Sequence, residues 1–183
     1  MIRCKYATEG RRGQQITQIV IHTMESPEKP DTAESVAQWF AGPTAPESSI
    51  HVCVDSNSAV QCLPDGDTAW HSGNWTVNLR SLGIELAGTA SQNKQQWGDP
   101  YSLAELRQAA KIVAMWCRKY DIPAVHLTPM GVKNGKRGIC GHNDVTAAFK
   151  TVGGHTDPGQ QFPWQAFLRL VQVAIALQSK KGN

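Results

Sequence analysis

The apolar run Ile19-Val20-Ile21, which ends directly at His22, constrains the fold more than any other feature of the sequence. A continuous apolar run is typical of a strand buried on both faces, because a strand with one wet face alternates apolar and polar residues. The sequence therefore predicts a buried strand within residues 16–21. The polar segment Thr23-Met24-Glu25 that follows predicts a loop at its end.

Other segments also have strand patterns. Residues 50–55 alternate strictly between an apolar and a mixed face, and residues 59–63 follow a turn at 56–57, so the two segments predict a hairpin. Residues 82–86 read as a further strand, and a short strand is expected near residues 124–127. The mixed face of the first segment carries His51, Cys53 and Asp55. A metal cluster there is conceivable, but a hydrogen-bonded core histidine is favoured.

Helical patterns separate these strands. Asp31 and Glu34 predict the start of a helix, and Gly42 predicts its end. The capping-box pattern Ser102 to Glu105 predicts the start of a long helix that ends before Pro123. Its core stripe is expected at Leu103, Leu106, Ala110, Val113, Cys117 and Tyr120. A short helix over 145–149 and a last helix over 164–177 are also predicted. Strands interleaved with helices predict an α/β protein, with a mixed central β-sheet flanked by helices.

Length and composition describe one globular domain. The 183 residues, of which 40% are hydrophobic, predict a single domain over 1–183 with a core from about 16 to 178. No apolar stretch approaches the roughly 20 residues of a membrane span, and no export signal is seen. A net charge of +3 with scattered basic residues argues against nucleic acid as a partner. A monomer that binds neither nucleic acid nor membrane is expected.

The five cysteines predict packing residues. Their number is odd and they show no CxxC spacing, so a disulfide framework and a thiolate zinc site are both disfavoured. We expect reduced, mostly buried thiols.

Polar side chains with metal-binding chemistry stand where strands end or loops begin. His22 follows the buried run, His142 lies in a Gly-His-Asn-Asp segment and Asp157 lies in a Gly-rich loop. A catalytic zinc takes three nitrogen or oxygen ligands and keeps a position for water. These three residues satisfy that requirement if the fold brings them together, which spacing alone does not show.

Five segments in one order resemble a known family, the zinc-dependent N-acetylmuramoyl-L-alanine amidases (type 2 amidases, with phage lysins and peptidoglycan-recognition proteins). The segments are Ile19-Val20-Ile21-His22-Thr23, Trp70-His71-Ser72-Gly73, Leu82-Gly83-Ile84-Glu85-Leu86, Gly141-His142-Asn143-Asp144-Val145 and Thr156-Asp157-Pro158-Gly159. The resemblance covers residues 16–164. Within the family, the chain is most similar to the amidase module of lysins from phages of actinobacteria. It implies an amidase/peptidoglycan-recognition-like fold.

The resemblance also implies roles for single residues. His22, His142 and Asp157 would bind one catalytic Zn²⁺, and Glu85 would be the catalytic carboxylate. A base beside a zinc-activated water can accept its proton and pass it to the leaving amine. Where the family often has a lysine, this chain has His155. It would be an oxyanion donor when protonated, a fourth ligand or a simple loop residue.

Residues in and directly after the Trp-His-Ser-Gly segment are the expected substrate contacts. Trp70, His71 and Asn74 would bind substrate, although His71 would equally brace its loop and Trp70 would equally belong to the core. His126 is expected to be structural. Asp144 would cap the short helix or orient His142.

The resemblance implies cleavage of the amide bond between the lactyl group of N-acetylmuramic acid and L-alanine in peptidoglycan. A peptidoglycan-binding module without catalysis and an amidase of soluble muropeptides are the alternatives. A phage lysin without an export signal would be made in the host cytoplasm and act on the wall after release.

Overall fold

A five-stranded mixed sheet forms the centre of the computed structural model, which describes residues 1–151 and 153–180. The strands are β1 (Gln18–Thr23), β2 (Val52–Val54), β3 (Ala59–Gln61), β4 (Ser81–Leu86) and β5 (Gly138–Gly141). Their order is β3-β2-β4-β1-β5, and every pairing is parallel except that of β2 with β3. The carboxyl ends of β1, β2, β4 and β5 therefore lie at one edge. The predicted α/β fold with a mixed sheet is confirmed, and the last residues of the predicted domain, 181–183, lie outside the described chain.

Helices cover both faces of the sheet. They are α1 (Thr32–Ala41), α2 (Trp75–Arg80), α3 (Pro100–Lys119), α4 (Pro129–Lys133), α5 (His142–Phe149) and α6 (Trp164–Lys180). The main apolar core lies between the sheet and α3 with α6, and two smaller cores lie on the opposite face, beneath α1 and beneath α4 with α5. Among the described residues, no helix has the length and apolar character to cross a membrane.

The alternation along β4 assigns a different task to each face. Leu82, Ile84 and Leu86 are fully buried in the main core against α3 and α6. Successive strand side chains point to opposite faces, so Ser81, Gly83 and Glu85 face the other way. The pattern Leu-Gly-Ile-Glu-Leu thus anchors the strand with one set of residues and leaves the other set for polar contacts.

The capping box predicted at Ser102 is wrong. The helix α3 begins at Pro100, and the side chain of Asp99 accepts a hydrogen bond from the Ser102 backbone N–H at 2.9 Å. Glu105 is instead fully buried and accepts from the Ala87 backbone N–H at 2.6 Å. Leu103, expected in the core stripe, is 37% exposed. The sequence pattern S-x-x-E fits a helix cap and a buried acid equally well. Because Asp99 caps the helix three residues earlier, Ser102 and Glu105 lie inside it.

Other local predictions also need correction. Asp31 makes no side-chain cap on α1, and Asp55 from the β2–β3 turn accepts from the Ala33 backbone N–H at 3.0 Å instead. The strand expected near residues 124–127 reduces to one isolated bridge, between His126 and Ile139. The predicted hairpin is confirmed by the pairing of β2 with β3, and all five cysteines are buried and free as expected.

We predict that Glu105→Gln makes the protein more stable at alkaline pH. Burial raises the pKa of Glu105 to about 9, and one of its oxygens has no partner among the described residues. The native state keeps this proton while the unfolded state loses it near pH 4.5, so the free energy of unfolding falls as pH rises between these values. Glutamine keeps the acceptor for Ala87 and cannot ionise.

Urea unfolding at pH 5 and pH 8 measures this effect. The advantage of Glu105→Gln over the unsubstituted protein should grow with pH by about 1 kcal/mol or more, since each pKa unit is worth about 1.4 kcal/mol. The exposed Glu9→Gln is the control and should follow the unsubstituted protein. Equal pH dependence in all three proteins would contradict the prediction.

Candidate metal centre and catalytic site

Four polar side chains meet at the carboxyl edge of the sheet, on the face opposite the main core. His22 lies near the end of β1 and Glu85 lies opposite it in register on β4. His142 directly follows β5 and is the first residue of α5. Asp157 comes from the loop before α6, and its backbone carbonyl accepts from the Asn143 N–H at 2.8 Å. This bond holds the loop against the start of α5, beside His142.

The predicted metal ligands form one compact cluster. Nδ1 of His22 lies 3.0 Å from Oδ2 of Asp157, and Nδ1 of His142 lies 3.2 Å from Oδ1 of the same carboxylate. The candidate ligand atoms of the three residues all lie within 4.8 Å of one another. All three side chains are buried. The fold therefore brings together residues as far as 135 positions apart, which the sequence alone did not show.

The electrostatics of the cluster favour the protonation states that a metal needs. Burial lowers the pKa of His22 to about 4, an effect that the neighbouring Asp157 carboxylate partly offsets, so its imidazole is neutral at neutral pH. Burial acts to raise the pKa of Asp157, but the contacts of its carboxylate with His142 and His22 outweigh this effect and hold the pKa below its usual range. Neutral imidazole and ionised carboxylate are the ligand forms that bind divalent cations.

The donor set fits a catalytic zinc. Two imidazole nitrogens and one carboxylate oxygen are three ligands of the type that such sites use, with a further position left for water or substrate. The three residues border a cavity of about 400 Å³. The other residues along its wall are Thr23, Glu25, Phe40, Glu47, Ser48, Ser49, Trp70, His71, Gly73, Asn78, Glu85 and His155.

Glu85 has an unused carboxylate oxygen beside the cluster. Its Oε2 is buried and has no hydrogen-bond partner among the described residues, so the salt bridge that would explain a structural role is not seen there. Burial raises the pKa of Glu85 well above its usual value, and the charges of Asp157 and Glu25 raise it further. A carboxyl with this proton affinity is suited to general acid–base chemistry.

His155 lies at the more open side of the cluster. Its ring stacks on that of His142, with centroids 4.0 Å apart and planes inclined by 17°, and its side chain is 51% exposed. Its Nδ1 is 3.7 Å from Oδ1 of Asp157. Burial and then the neighbouring His142 lower the pKa of His155, which favours the neutral ring.

The three predicted substrate residues occupy different places. Trp70 borders the cavity, stacks on Tyr6 with centroids 6.0 Å apart, and donates from Nε1 to Thr8 Oγ1 at 3.0 Å. His71 also borders the cavity, but its ring is buried against His22. Asn74 does not border it, and its side chain caps α2 by accepting from the Val77 N–H at 3.1 Å.

Sequence reasoning missed several residues of the wall. Asn78 borders the cavity, and its Oδ1 accepts from the backbone N–H groups of His71 and Ser72 and from the Ser72 hydroxyl. Glu25 accepts from the Thr23 hydroxyl at 2.7 Å and the Ala90 N–H at 2.8 Å. The polar loop after β1 was the available indication for Glu25. No motif marked Asn78.

The remaining polar residues agree with structural roles. Nδ1 of His51 accepts from the Gly83 N–H at 3.0 Å, in the core rather than in a metal cluster. His126 stacks on Trp164 and lies 2.8 Å from Asp144. The helix predicted over 145–149 begins earlier, at His142, so Asp144 lies in its first turn rather than before it. Its side chain still caps α5, by accepting from the Gly141 N–H at 2.9 Å.

Comparison with known proteins identifies the family. The N-acetylmuramoyl-L-alanine amidase family (Amidase_2) matches residues 12–160, and the chain belongs to this family. The N-acetylmuramoyl-L-alanine amidase CwlA of Bacillus sp. is 33% identical over 98 residues, which are 52% of this chain and 36% of CwlA. The chain thus matches about a third of the length of that relative.

Solved structures share the fold. The Staphylococcus aureus hydrolase AmiA superposes with a TM-score of 0.67 at 16% identity, over 96% of this chain and 80% of its own. An AmpD derivative superposes with a TM-score of 0.65 at 20% identity, over 92% of each chain. The amidase-like fold expected from the sequence is confirmed.

We predict that added Zn²⁺ raises the thermal unfolding midpoint of the metal-free protein. A ligand that binds only the native state adds about 2.7 kcal/mol to stability at 100 times its dissociation constant. His142→Ala and Asp157→Ala should lose this response, because each removes one of three ligands. Asp65→Asn is the control, since Asp65 bonds to Lys119 and Tyr120 and is not part of the cavity wall. A full response in either ligand variant would remove that residue from the metal centre.

Proposed function

We propose that the protein is a zinc-dependent amidase that cleaves the bond between the lactyl group of N-acetylmuramic acid and L-alanine in peptidoglycan. The observation that carries this proposal is the convergence of the His22 and His142 Nδ1 atoms on the Asp157 carboxylate. Beside them lies a Glu85 oxygen that has no hydrogen-bond partner within the described part of the chain. A binding module needs no such acid. Family membership supports the same reaction.

His22, His142 and Asp157 are the residues that would hold the ion. When bound, zinc supplies Lewis acidity and makes water available as a nucleophile near neutral pH. The neutral His22 ring and the ionised Asp157 give the site its ligands without a prior proton loss. The cavity beside them leaves room for the amide of the substrate.

Glu85 acts as the proton carrier in this proposal. Its free oxygen accepts the proton of the attacking water as the new bond to the lactyl carbonyl carbon forms. The same carboxyl then delivers that proton to the alanine nitrogen as the carbon–nitrogen bond breaks. The products are a muramyl carboxylate and a free α-amino group. The raised pKa of Glu85 favours its holding a proton between the two steps.

His155 supplies a hydrogen bond to the oxygen of the scissile carbonyl. Its ring borders the cavity and is held flat against His142, so it is placed without a large conformational cost. The lowered pKa of His155 indicates that the neutral ring donates, rather than the cation expected from the sequence. A neutral N–H is still an effective oxyanion donor when it is held in place.

The remaining wall of the cavity is the proposed binding surface for the glycan and the stem peptide. Trp70 offers its half-buried ring, and Gly73 borders the cavity in the bend that follows. Asn74 contributes by holding the start of α2. A phage lysin that acts on the bacterial wall is the biological setting that this substrate suggests.

Glu85→Gln should abolish most turnover while zinc stays bound. Loss of a general acid–base residue costs about 10²–10⁴-fold. The assay incubates purified sacculi with protein and counts new free α-amino groups on alanine. Glu9→Gln, which changes an exposed acid that does not border the cavity, is the control and should retain activity.

Three outcomes of the sacculus assay are distinct. New alanine amino groups with the unsubstituted protein and none with Glu85→Gln would support the proposal. Binding to sacculi without release of amino groups by either protein would make the chain a binding module. Cleavage of soluble muropeptides alone would make the substrate a wall fragment.

His155→Phe should lower kcat by about 10²–10³-fold, the usual cost of one oxyanion donor. Phenylalanine preserves the stack on His142 but lacks an N–H. Zinc content and KM should stay close to those of the unsubstituted protein, as measured by metal analysis and steady-state kinetics on a muramyl peptide. A drop in zinc affinity would identify His155 as a fourth ligand, and an unchanged kcat would leave it a loop residue.

A further inference from the structure

We infer that His71 is a positioning residue that fixes the tautomer of His22, through a hydrogen-bond chain that ends at the carbonyl of Val77. The chain runs from His22 through His71 and Ser81, on the side of His22 away from Asp157. It leaves Nδ1 of His22 unprotonated and directed at the metal position. This inference rests on the proposed metal centre, and its test separates the two.

The far end of the chain sets the direction of every bond. The Ser81 hydroxyl oxygen lies 2.7 Å from the Val77 carbonyl oxygen, which can only accept, so the hydroxyl hydrogen is donated there. The same hydroxyl oxygen lies 3.0 Å from Nε2 of His71. With its hydrogen already used, it must accept from Nε2–H. His71 therefore carries its proton on Nε2 and has a lone pair on Nδ1.

The near end of the chain passes this constraint to the metal ligand. Nδ1 of His71 lies 2.9 Å from Nε2 of His22. Because Nδ1 of His71 is an acceptor, His22 must donate from Nε2–H. Both rings are buried, and a doubly protonated ring there would be a costly charge. The remaining nitrogen of His22, Nδ1, is therefore unprotonated and carries a lone pair.

This assignment places two acceptors face to face. The lone pair of His22 Nδ1 lies 3.0 Å from the ionised Oδ2 of Asp157. Two acceptors at that distance repel unless a cation lies between them. Zinc bonds to imidazole nitrogen and carboxylate oxygen at about 2.0–2.2 Å, so both atoms can bind one ion from these positions. The hydrogen-bond chain thus prepares the gap for a metal.

The absence of a side chain at Gly83 makes space for the His71 ring of this hydrogen-bond chain. A Cβ atom at Gly83 would lie 2.9 Å from Nδ1 and 3.0 Å from Cγ of His71, and 2.6 Å from Cδ1 of Ile50. Gly83 lies between Ser81 and Glu85 on the same face of β4, so the ring of His71 lies over the strand. The side chain of Asn78 holds the backbone of His71 by accepting from its N–H at 3.3 Å. These contacts give His71 a structural task beyond lining the cavity.

The test compares two substitutions of His71 in the full chain. Asparagine places its carbonyl oxygen near the position of Nδ1 and can still accept from His22, whereas phenylalanine fills the space without an acceptor. The zinc dissociation constant is measured by competition with a chelating dye. We expect His71→Phe to weaken binding about 10–100-fold, as loss of such an outer partner usually does. His71→Asn should retain most of the affinity.

The proton positions themselves are read by long-range ¹H–¹⁵N spectra of the metal-free protein with labelled histidine. We expect the His71 proton on Nε2, with Nδ1 unprotonated. A proton on Nδ1 of His71, or zinc binding by His71→Phe as tight as by the unsubstituted protein, would overturn the inference. If His71→Phe does not fold, Ser81→Ala, which removes the directing hydroxyl, provides the comparison.

Failure of the metal centre would look different. An unsubstituted protein that binds no zinc would refute the proposed function, while the spectra would still decide the direction of the hydrogen bonds. Zinc binding with an unaffected His71→Phe would refute only the role of His71.

Discussion

The contact of one carboxylate with two imidazoles is the constraint on which the site depends. Asp157 reaches Nδ1 of both His22 and His142, and these residues come from a loop, a strand and a helix start. None of the three elements is adjacent to both others in sequence. The parallel order of β1 with β5 and the bond from Asn143 to the Asp157 backbone bring them to one edge. A ligand site at the carboxyl ends of parallel strands follows a general rule of α/β proteins.

The strand β4 shows how one short segment serves both stability and chemistry. Its leucines and isoleucine join the main core. On the other face, Ser81 links His71 to the Val77 carbonyl in the hydrogen-bond chain. Gly83 leaves space for the His71 ring, and Glu85 presents its carboxyl to the cavity. Glu85 is half-buried at the cavity, and the burial of its carboxyl raises its pKa. The same burial lowers the pKa of His22. The fold thus tunes an acid and a base in opposite directions a few ångströms apart.

Some of this site is predictable from residues alone, and some is not. His22 was found because a polar side chain directly ends a buried apolar run, whereas the catalytic role of Glu85 came from the family resemblance. Asp157 depended on a resemblance, since an aspartate before proline is also an ordinary turn residue. The tautomer of His22 depends on Ser81 and Val77, which lie far along the chain and carry no motif of their own. The wrong prediction of a helix cap at Ser102 has a similar cause. The local sequence pattern does not show that Asp99 caps the helix while Glu105 is buried.

Anomalous diffraction at the zinc edge, from crystals of the zinc-loaded protein, tests the proposed metal centre most directly. We predict one strong peak within about 2.0–2.2 Å of Nδ1 of His22, Nδ1 of His142 and a carboxylate oxygen of Asp157, with the cavity side open to solvent. Zinc bound through Nε2 of His22, or no peak among these three side chains, would contradict it.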